Sequence, residues 1–256
     1  MRGFDLEVLP TAALAAQAAA RRFVAAAKDA IRSRGEFVVA LSGGSTPRSV
    51  YARLAAQPDA SGVNWSRVQV LWGDERCVPP DHAASNYRMA REALLDHVSI
   101  PAANVHRIRG EDDPGEAATV YERVIRGVLR TPLGPPRDAP GARIDLVLLG
   151  LGEDGHTASL FPGPVAVHDS PCWVRAEYVQ AVSAWRVTLT PITFNAAAEV
   201  AFLVTGVAKA PILRQVLEGP WRPYQLPAQL IAPTAGRVRW FVDAPAAAAL
   251  RRDTAR

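Results

Sequence analysis

The sequence has little cysteine, little lysine and no long apolar run. Two cysteines, Cys77 and Cys172, cannot form a disulfide framework, and neither has a metal-ligand neighbour at C-x-x-C spacing. No stretch reaches the ~18–20 uncharged apolar residues that span a bilayer. The opening MRGFDLEVLP carries Asp5 and Glu7 and lacks the apolar region of a secretory signal. Basic clusters are missing too. The net charge is +4, but the arginines are scattered, with few aromatics between them. These absences lead us to expect a cytoplasmic, metal-free protein with no nucleic-acid or membrane partner. A small anionic substrate suits the positive balance. Of 29 basic residues only Lys28 and Lys209 are lysines, so a lysine outside the exposed first helix needs a reason.

What is present is ordinary globular composition. Apolar residues make up 49% of 256 and charged residues 21%, enough for a large buried core. One domain over residues 1–256 is expected. Thr11 to Arg34 is Ala-rich and reads as one helix or two joined, stopped by Gly35. Phe37–Leu41 is a short continuous apolar run, as in a strand buried on both faces; Val68–Trp72 reads as a second strand and Ile144–Leu149 as the strongest buried strand. Further strands are expected at Val105–Ile108, Arg186–Thr190, Val200–Thr205 and Val238–Val242. Helices are expected over Arg48–Ala56 (capped by Thr46, with Pro47 first), Asn86–His97, Gly115–Arg130, Ala208–Glu218 and Ala244–Arg252. Gly73–Ser85 reads as an irregular polar loop. Thr131–Ala142, with four prolines and two glycines, reads as an internal connection. The alternation predicts an α/β fold with a mostly parallel sheet covered on both faces. Ligands in such folds bind beyond the carboxyl ends of the strands, so the loops after Leu41, Trp72, Leu149 and Thr205 should converge.

Four segments carry chemistry. In Ser42-Gly43-Gly44-Ser45-Thr46-Pro47, two glycines, two hydroxyls and a helix start favour a phosphate. A plain strand–helix turn fits the same composition. Trp72-Gly73-Asp74-Glu75-Arg76 puts two carboxylates and a guanidinium at a strand end; a surface turn with an ion pair is the bland alternative. Ser85-Asn86-Tyr87 reads only as a cap for the next helix. In Gly150–Gly163 a literal G-x-G-x-x-G follows a strong strand. It is not a dinucleotide site, because Glu153 and Asp154 would oppose the pyrophosphate and Pro162 leaves no room for the helix that should hold it. The loop instead presents His156 for proton transfer, with Asp154 to orient it; a surface histidine is the alternative. His82, His97, His106 and His168 lie in polar or loop-like contexts. Finally, Lys209 in Thr205-Gly206-Val207-Ala208-Lys209 sits at a helix start, where a cation is unfavourable unless it meets an anion. Arg186 is a weaker cationic candidate.

In order along the chain, LSGGSTPRSVY (41–51), WGDERCVPPDHAASNYRMAREALLDHV (72–98), IDLVLLGLGEDGHTASLFPG (144–163), RVTLT (186–190) and FLVTGVAKA (202–210) resemble the 6-phosphogluconolactonase family. The resemblance extends to Leu226-Pro227-Ala228 and covers nearly the whole chain. It implies the Rossmann-like fold of the glucosamine-6-phosphate isomerases and hydrolysis of the δ-lactone of 6-phosphogluconate, in the oxidative pentose phosphate pathway, without a cofactor. It also implies roles. Gly43, Gly44, Ser45 and Thr46 would hold the phosphate with Lys209 and Arg186. His156 would act as general base and Arg76 would steady the oxyanion, with Asp154 and Asp74 orienting the site. Cys77, where a larger apolar residue is expected, and LTPITFN (189–195) depart from the family pattern. Two other readings remain. One is an aminosugar-phosphate isomerase or deaminase, which would want a glutamate where Phe161 stands. The other is a non-catalytic sugar-phosphate sensor.

Overall fold

The computed structural model describes residues 3–56, 62–131, 143–163, 171–233, 235–251 and 253–254. The Pro-rich segment from 132 to 142 and His168 lie outside them.

Six strands form one parallel sheet: β1 (Asp5–Leu9), β2 (Phe37–Leu41), β3 (Val68–Trp72), β5 (Leu146–Leu149), β8 (Glu199–Val204) and β9 (Arg237–Asp243), in the order β1-β9-β8-β5-β2-β3. The register runs straight across, with Leu41 beside Trp72 and Val147 beside Val200. The inner strands β2, β5 and β8 are buried along their whole length, as a sheet covered on both faces requires. A second, antiparallel sheet follows the order β4-β7-β6, with β4 at Asp74–Arg76, β6 at Val174–Val179 and β7 at Ala184–Leu189. It hangs from the end of β3: Gly73 donates to Leu41 O at 2.8 Å, and Leu189 donates to Gly73 O at 2.8 Å.

Helix α1 (Ala12–Arg34) is capped by Thr11, whose hydroxyl accepts from Leu14 N at 3.3 Å, and closed by Gly35 at φ +82°. Its buried face is mostly alanine, including Ala15, Ala16, Ala19, Ala20 and Ala27. Such small side chains bring the helix axis close to β2, β8 and β9, which it touches. Phe23 fills the one large step, edge-on to Phe37 with ring centroids 5.3 Å apart. Helix α2 is Ser45–Ala55, α3 Asn86–Ala93, α4 Pro114–Leu129, α5 Pro191–Asn195, α6 Ala210–Glu218 and α7 Ala244–Ala247. Helix α4 packs on β6 and β7.

Several expectations need correction. Thr46 does not cap α2. The helix starts two residues earlier, Gly44 is its cap at φ +108°, and Pro47 falls third. Val105–Ile108 is not a strand: Val105 makes a single bridge to Val70, beyond the sheet's edge strand, and His106 N donates there at 2.9 Å. The Gly73–Ser85 loop contains β4. Arg186–Thr190 does not complete the parallel sheet, because β7 pairs with β4 and β6. Helix α3 breaks at Leu94 (φ −141°) into a 3-10 turn over Leu95–His97. The last helix stops at Ala247, well short of Arg252, which lies outside the described residues. β1, β6 and α5 were not expected at all.

The chain reverses direction across the sheet between β2 and β5. It lays β3 on one side of β2 and later returns to place β5 on the other. At such a switch point the two following loops part and leave a crevice at the strands' carboxyl ends.

Candidate active site

A cavity of about 290 Å³ opens at that switch point. Its walls are Ser42 to Pro47 after β2, Asp74 and Arg76 on β4, Asn86 at the start of α3, Gly150 to Gly152 and His156 after β5, and Thr205 and Lys209 after β8. The loops expected to converge therefore do so. Gly43, Gly44, Ser45, Thr46, Asp74, Arg76, His156 and Lys209 all line it. Asp154 and Arg186 do not.

The loop after β2 is anchored from below. Tyr51, fully buried on α2, accepts from Ser42 N at 2.9 Å and donates to Ser42 O at 2.8 Å. Above that anchor α2 begins on Gly44 with no side-chain cap. The first N–H groups of the helix thus keep their donors for a ligand, at the positive end of the dipole. Thr46, released from capping, sets its hydroxyl 3.3 Å from that of Thr205, tying this loop to the one after β8.

Strand β4 sorts its three charged residues by alternation. Asp74 and Arg76 face the cavity, whereas Glu75 turns away into the start of α3. There its buried carboxylate accepts from Asn86 N (2.7 Å), Tyr87 N (2.8 Å), Arg76 N (2.8 Å) and Ser85 Oγ (3.0 Å). Burial pushes the Glu75 carboxyl up, against those backbone hydrogen bonds. Asp74 is also buried, and accepts from Ser159 Oγ at 2.7 Å and from Asn86 Nδ2 at 3.3 Å. Arg76 donates to Ala84 O. Arg186 is its register partner across β4 and β7. Burial first, then the positive charge of Arg76, holds the Arg186 guanidinium below its usual range.

The loop after β5 is tight. Gly152 N donates to His156 O at 2.8 Å, and Gly155 N to Gly152 O at 3.1 Å. The glycines that mimic a dinucleotide fingerprint serve this turn. A Cβ on Gly152 would lie 2.1 Å from His156 Nδ1, and Gly155 sits at φ +85° against Leu226. No helix follows through Gly163. Asp154 Oδ1 lies 2.5 Å from His156 Nδ1 and also accepts from His156 N at 3.1 Å. Burial pushes the Asp154 carboxyl up, but its hydrogen bonds with His156 and the charge of that ring outweigh this and hold it below its ordinary value. An ionised Asp154 accepts a hydrogen bond from a protonated Nδ1, which leaves Nε2 as the ring nitrogen not engaged by that carboxylate. Phe161 stacks on the imidazole at 4.2 Å and 21°. The position that would carry an acid in an isomerase thus supports the ring instead.

Lys209 ends a 3-10 turn over Val207–Lys209 and caps α6. Its ammonium lies 3.7 Å from Glu153, which is mostly exposed. Asn86, on the cavity wall, and Ser159, buried and bonded to Asp74, are the site's unexpected parts. Asn86 carried a signal, a second polar residue directly after a good cap, but read alone it was indistinguishable from capping. Among the described residues no three His, Cys, Asp or Glu side chains group as metal ligands, and no helix is long and apolar enough to cross a membrane.

Comparison with known proteins agrees with this architecture. The family model described as glucosamine-6-phosphate isomerases/6-phosphogluconolactonase matches residues 10–240. A 6-phosphogluconolactonase of Nostoc sp. is 40% identical over 225 residues, covering 86% of this chain and 88% of its own. The solved structure of 6-phosphogluconolactonase from Trypanosoma cruzi superposes with a TM-score of 0.84 at 30% identity, over 97% of each chain. A monomeric glucosamine-6-phosphate deaminase, 20% identical, shares the fold with a TM-score of 0.79 over 96% of this chain and 100% of its own. With the match spanning most of its length, the chain belongs to the glucosamine-6-phosphate isomerase/6-phosphogluconolactonase family.

Proposed function

We propose that this protein hydrolyses 6-phospho-D-glucono-1,5-lactone to 6-phosphogluconate. One observation carries the reading: a carboxylate-oriented imidazole, a guanidinium, an ammonium and an uncapped helix start line one small cavity. The relatives named 6-phosphogluconolactonase support the substrate.

In this reading the phosphate lies on the N–H groups of Gly43 to Thr46, and Lys209 leaves Glu153 to meet it. Arg186 adds positive charge from behind Arg76. Nε2 of His156 takes a proton from water as the water oxygen bonds to the lactone carbonyl carbon. The carbonyl electrons move onto its oxygen, which Arg76 stabilises. When the tetrahedral centre collapses, the bond to the ring oxygen breaks, and that oxygen takes the proton back from His156. The product is an open-chain acid that releases one proton to solvent. A positioned base contributes about 10²–10⁴-fold and an oxyanion donor about 10²–10³-fold. For a lactone that already reacts with water this suffices without a covalent intermediate, so Ser42, Ser45 and Ser159 are not needed as nucleophiles.

Phe161 in place of an acid and Arg76 at the carbonyl argue against isomerisation, and the His156–Asp154 pair argues against a mere sensor. The test is proton release from freshly made 6-phosphogluconolactone beside the unphosphorylated lactone. Fast release from the first and slow release from the second is expected. Binding without release, or equal rates on both, contradicts the reading.

A further inference from the structure

Asn86 links Gly43 to Asp74 in a way the reaction above does not use. Its side chain lines the cavity, yet the residue is only 2% exposed. Nδ2 donates to Asp74 twice, to the backbone O at 2.9 Å and to Oδ1 at 3.3 Å. Oδ1 is buried and has no hydrogen-bond partner. Turning the amide over does not help, because it would set a carbonyl oxygen against both oxygens of Asp74.

The orphan oxygen instead lies against Gly43. A Cβ built on that glycine would be 1.7 Å from Asn86 Oδ1 and 2.4 Å from its Cγ, and the three nearest atoms all belong to Asn86. Gly43 is not among the glycines with positive φ. A left-handed φ is therefore not what demands glycine here; the Asn86 carboxamide is. The carboxamide cannot retreat easily, since Glu75 holds the Asn86 and Tyr87 N–H groups at 2.7 and 2.8 Å. A buried chain of contacts thus runs from Glu75 through Asn86 to Asp74 on one side and to the anion loop on the other. Leaving a buried acceptor unpaired is costly in itself, so the arrangement calls for a role beyond packing.

We propose that Asn86 is a positioning residue. It sets the Gly43 loop at a fixed distance from Asp74 and, with Ser159, orients that carboxylate toward the substrate. The part concerning turnover rests on the hydrolysis proposed above; the part concerning loop registry does not.

Four variants test it: Gly43→Ala, Asn86→Ala, the two combined, and Asn86→Asp. Each is checked by thermal melting, titrated calorimetrically with inorganic phosphate, and assayed for lactone turnover. Gly43→Ala should weaken phosphate binding by about tenfold or more, because its methyl and the carboxamide cannot share the space. The combined variant should bind within about threefold of Asn86→Ala alone, since the clash has gone; such strong non-additivity is the mark of direct coupling. Asn86→Asp keeps the shape but cannot donate to Asp74. Its kcat at saturating lactone should fall about 10–100-fold, as misplacement of a reacting group by about 1 Å can cause, and its added negative charge beside the anion loop should weaken phosphate binding as well. Losses from Gly43→Ala and Asn86→Ala that simply multiply would overturn the registry role, and wild-type kcat in Asn86→Asp would overturn the orienting role. If the wild-type protein fails to open the lactone, the proposed function falls, and the phosphate cycle still decides the registry.

Discussion

Neighbouring residues of one chemical type do different work here because alternation and burial separate them. Asp74 and Glu75 adjoin in sequence, yet one faces the cavity and the other serves the start of α3 with four hydrogen bonds. Composition treats them alike, the family resemblance singles out Asp74, and the direction of β4 separates them in space. His156 gains its character from Asp154 at one ring nitrogen and Phe161 on one face. Lys209 was conspicuous in the sequence for being a lysine at all, and its place on the cavity agrees with that. A single charged contact to an anion is worth about 1.5–3 kcal/mol. Lys209→Ala should therefore raise KM about tenfold or more while kcat changes less. Steady-state kinetics on the phosphorylated lactone checks this, and an unaltered KM would remove the lysine from the anion site.

At the scale of elements, two tyrosines perform the same task. Tyr51 reaches from α2 to both backbone groups of Ser42, just past β2. Tyr121 reaches from α4 to both backbone groups of Trp72, with Trp72 N donating at 2.6 Å and Trp72 O accepting at 3.1 Å. Each finishes a strand whose next residues enter the cavity region. Tyr51→Phe leaves the buried Ser42 N–H and carbonyl unpaired and should cost about 1–3 kcal/mol in denaturant unfolding. It should weaken phosphate binding as well. Full stability in that variant would mean the loop is anchored elsewhere.

Asp145 ties β5 to its neighbours by accepting from Val38 N at 2.9 Å and pairing with Arg34. Burial pushes its carboxyl above the ordinary value, against the opposing pull of Val38 N–H and Arg34. The folded protein thus holds this proton more tightly than the unfolded chain. The contribution of Asp145 is greatest below the unfolded value, near pH 4, and declines as pH rises through the window up to the folded value. The melting temperature of wild type minus that of Asp145→Asn should accordingly fall as the buffer moves from pH 4 to pH 6. A difference that rises over this range would reverse the assignment.

Elements were legible where one physical signal dominated. β2 and β5 are continuous apolar runs because both faces are covered, the edge strand β3 departs from this at Gln69, and α1 is nearly all strong helix formers between Thr11 and Gly35. β6 was not, since VRAEYV mixes charge with apolar residues on a small sheet open on one side. β4 is three charged residues whose pairing is set by tertiary contact with β7. Thr46 had the chemistry of a cap, but Gly44 took that position because the backbone turns through φ +108° there, which glycine alone does readily.

On the scale of the whole molecule, topology decides where chemistry is possible. The parallel sheet reverses between β2 and β5, so two loops far apart in sequence, 42–47 and 150–156, part over one crevice. The antiparallel sheet brings Asp74 and Arg76 to the same rim, and β8 delivers Thr205 and Lys209. This convergence was legible in the sequence as strand ends followed by unusual polar residues. The second sheet that closes one wall was not, because its pairing is entirely non-local. The account turns on His156 acting on water beside a separately held phosphate. Its most direct test compares wild type with His156→Ala, measuring lactone turnover and phosphate affinity on the same samples. Turnover should drop about 10²–10⁴-fold, with phosphate affinity within about threefold of wild type. Wild-type turnover without the imidazole would contradict the account.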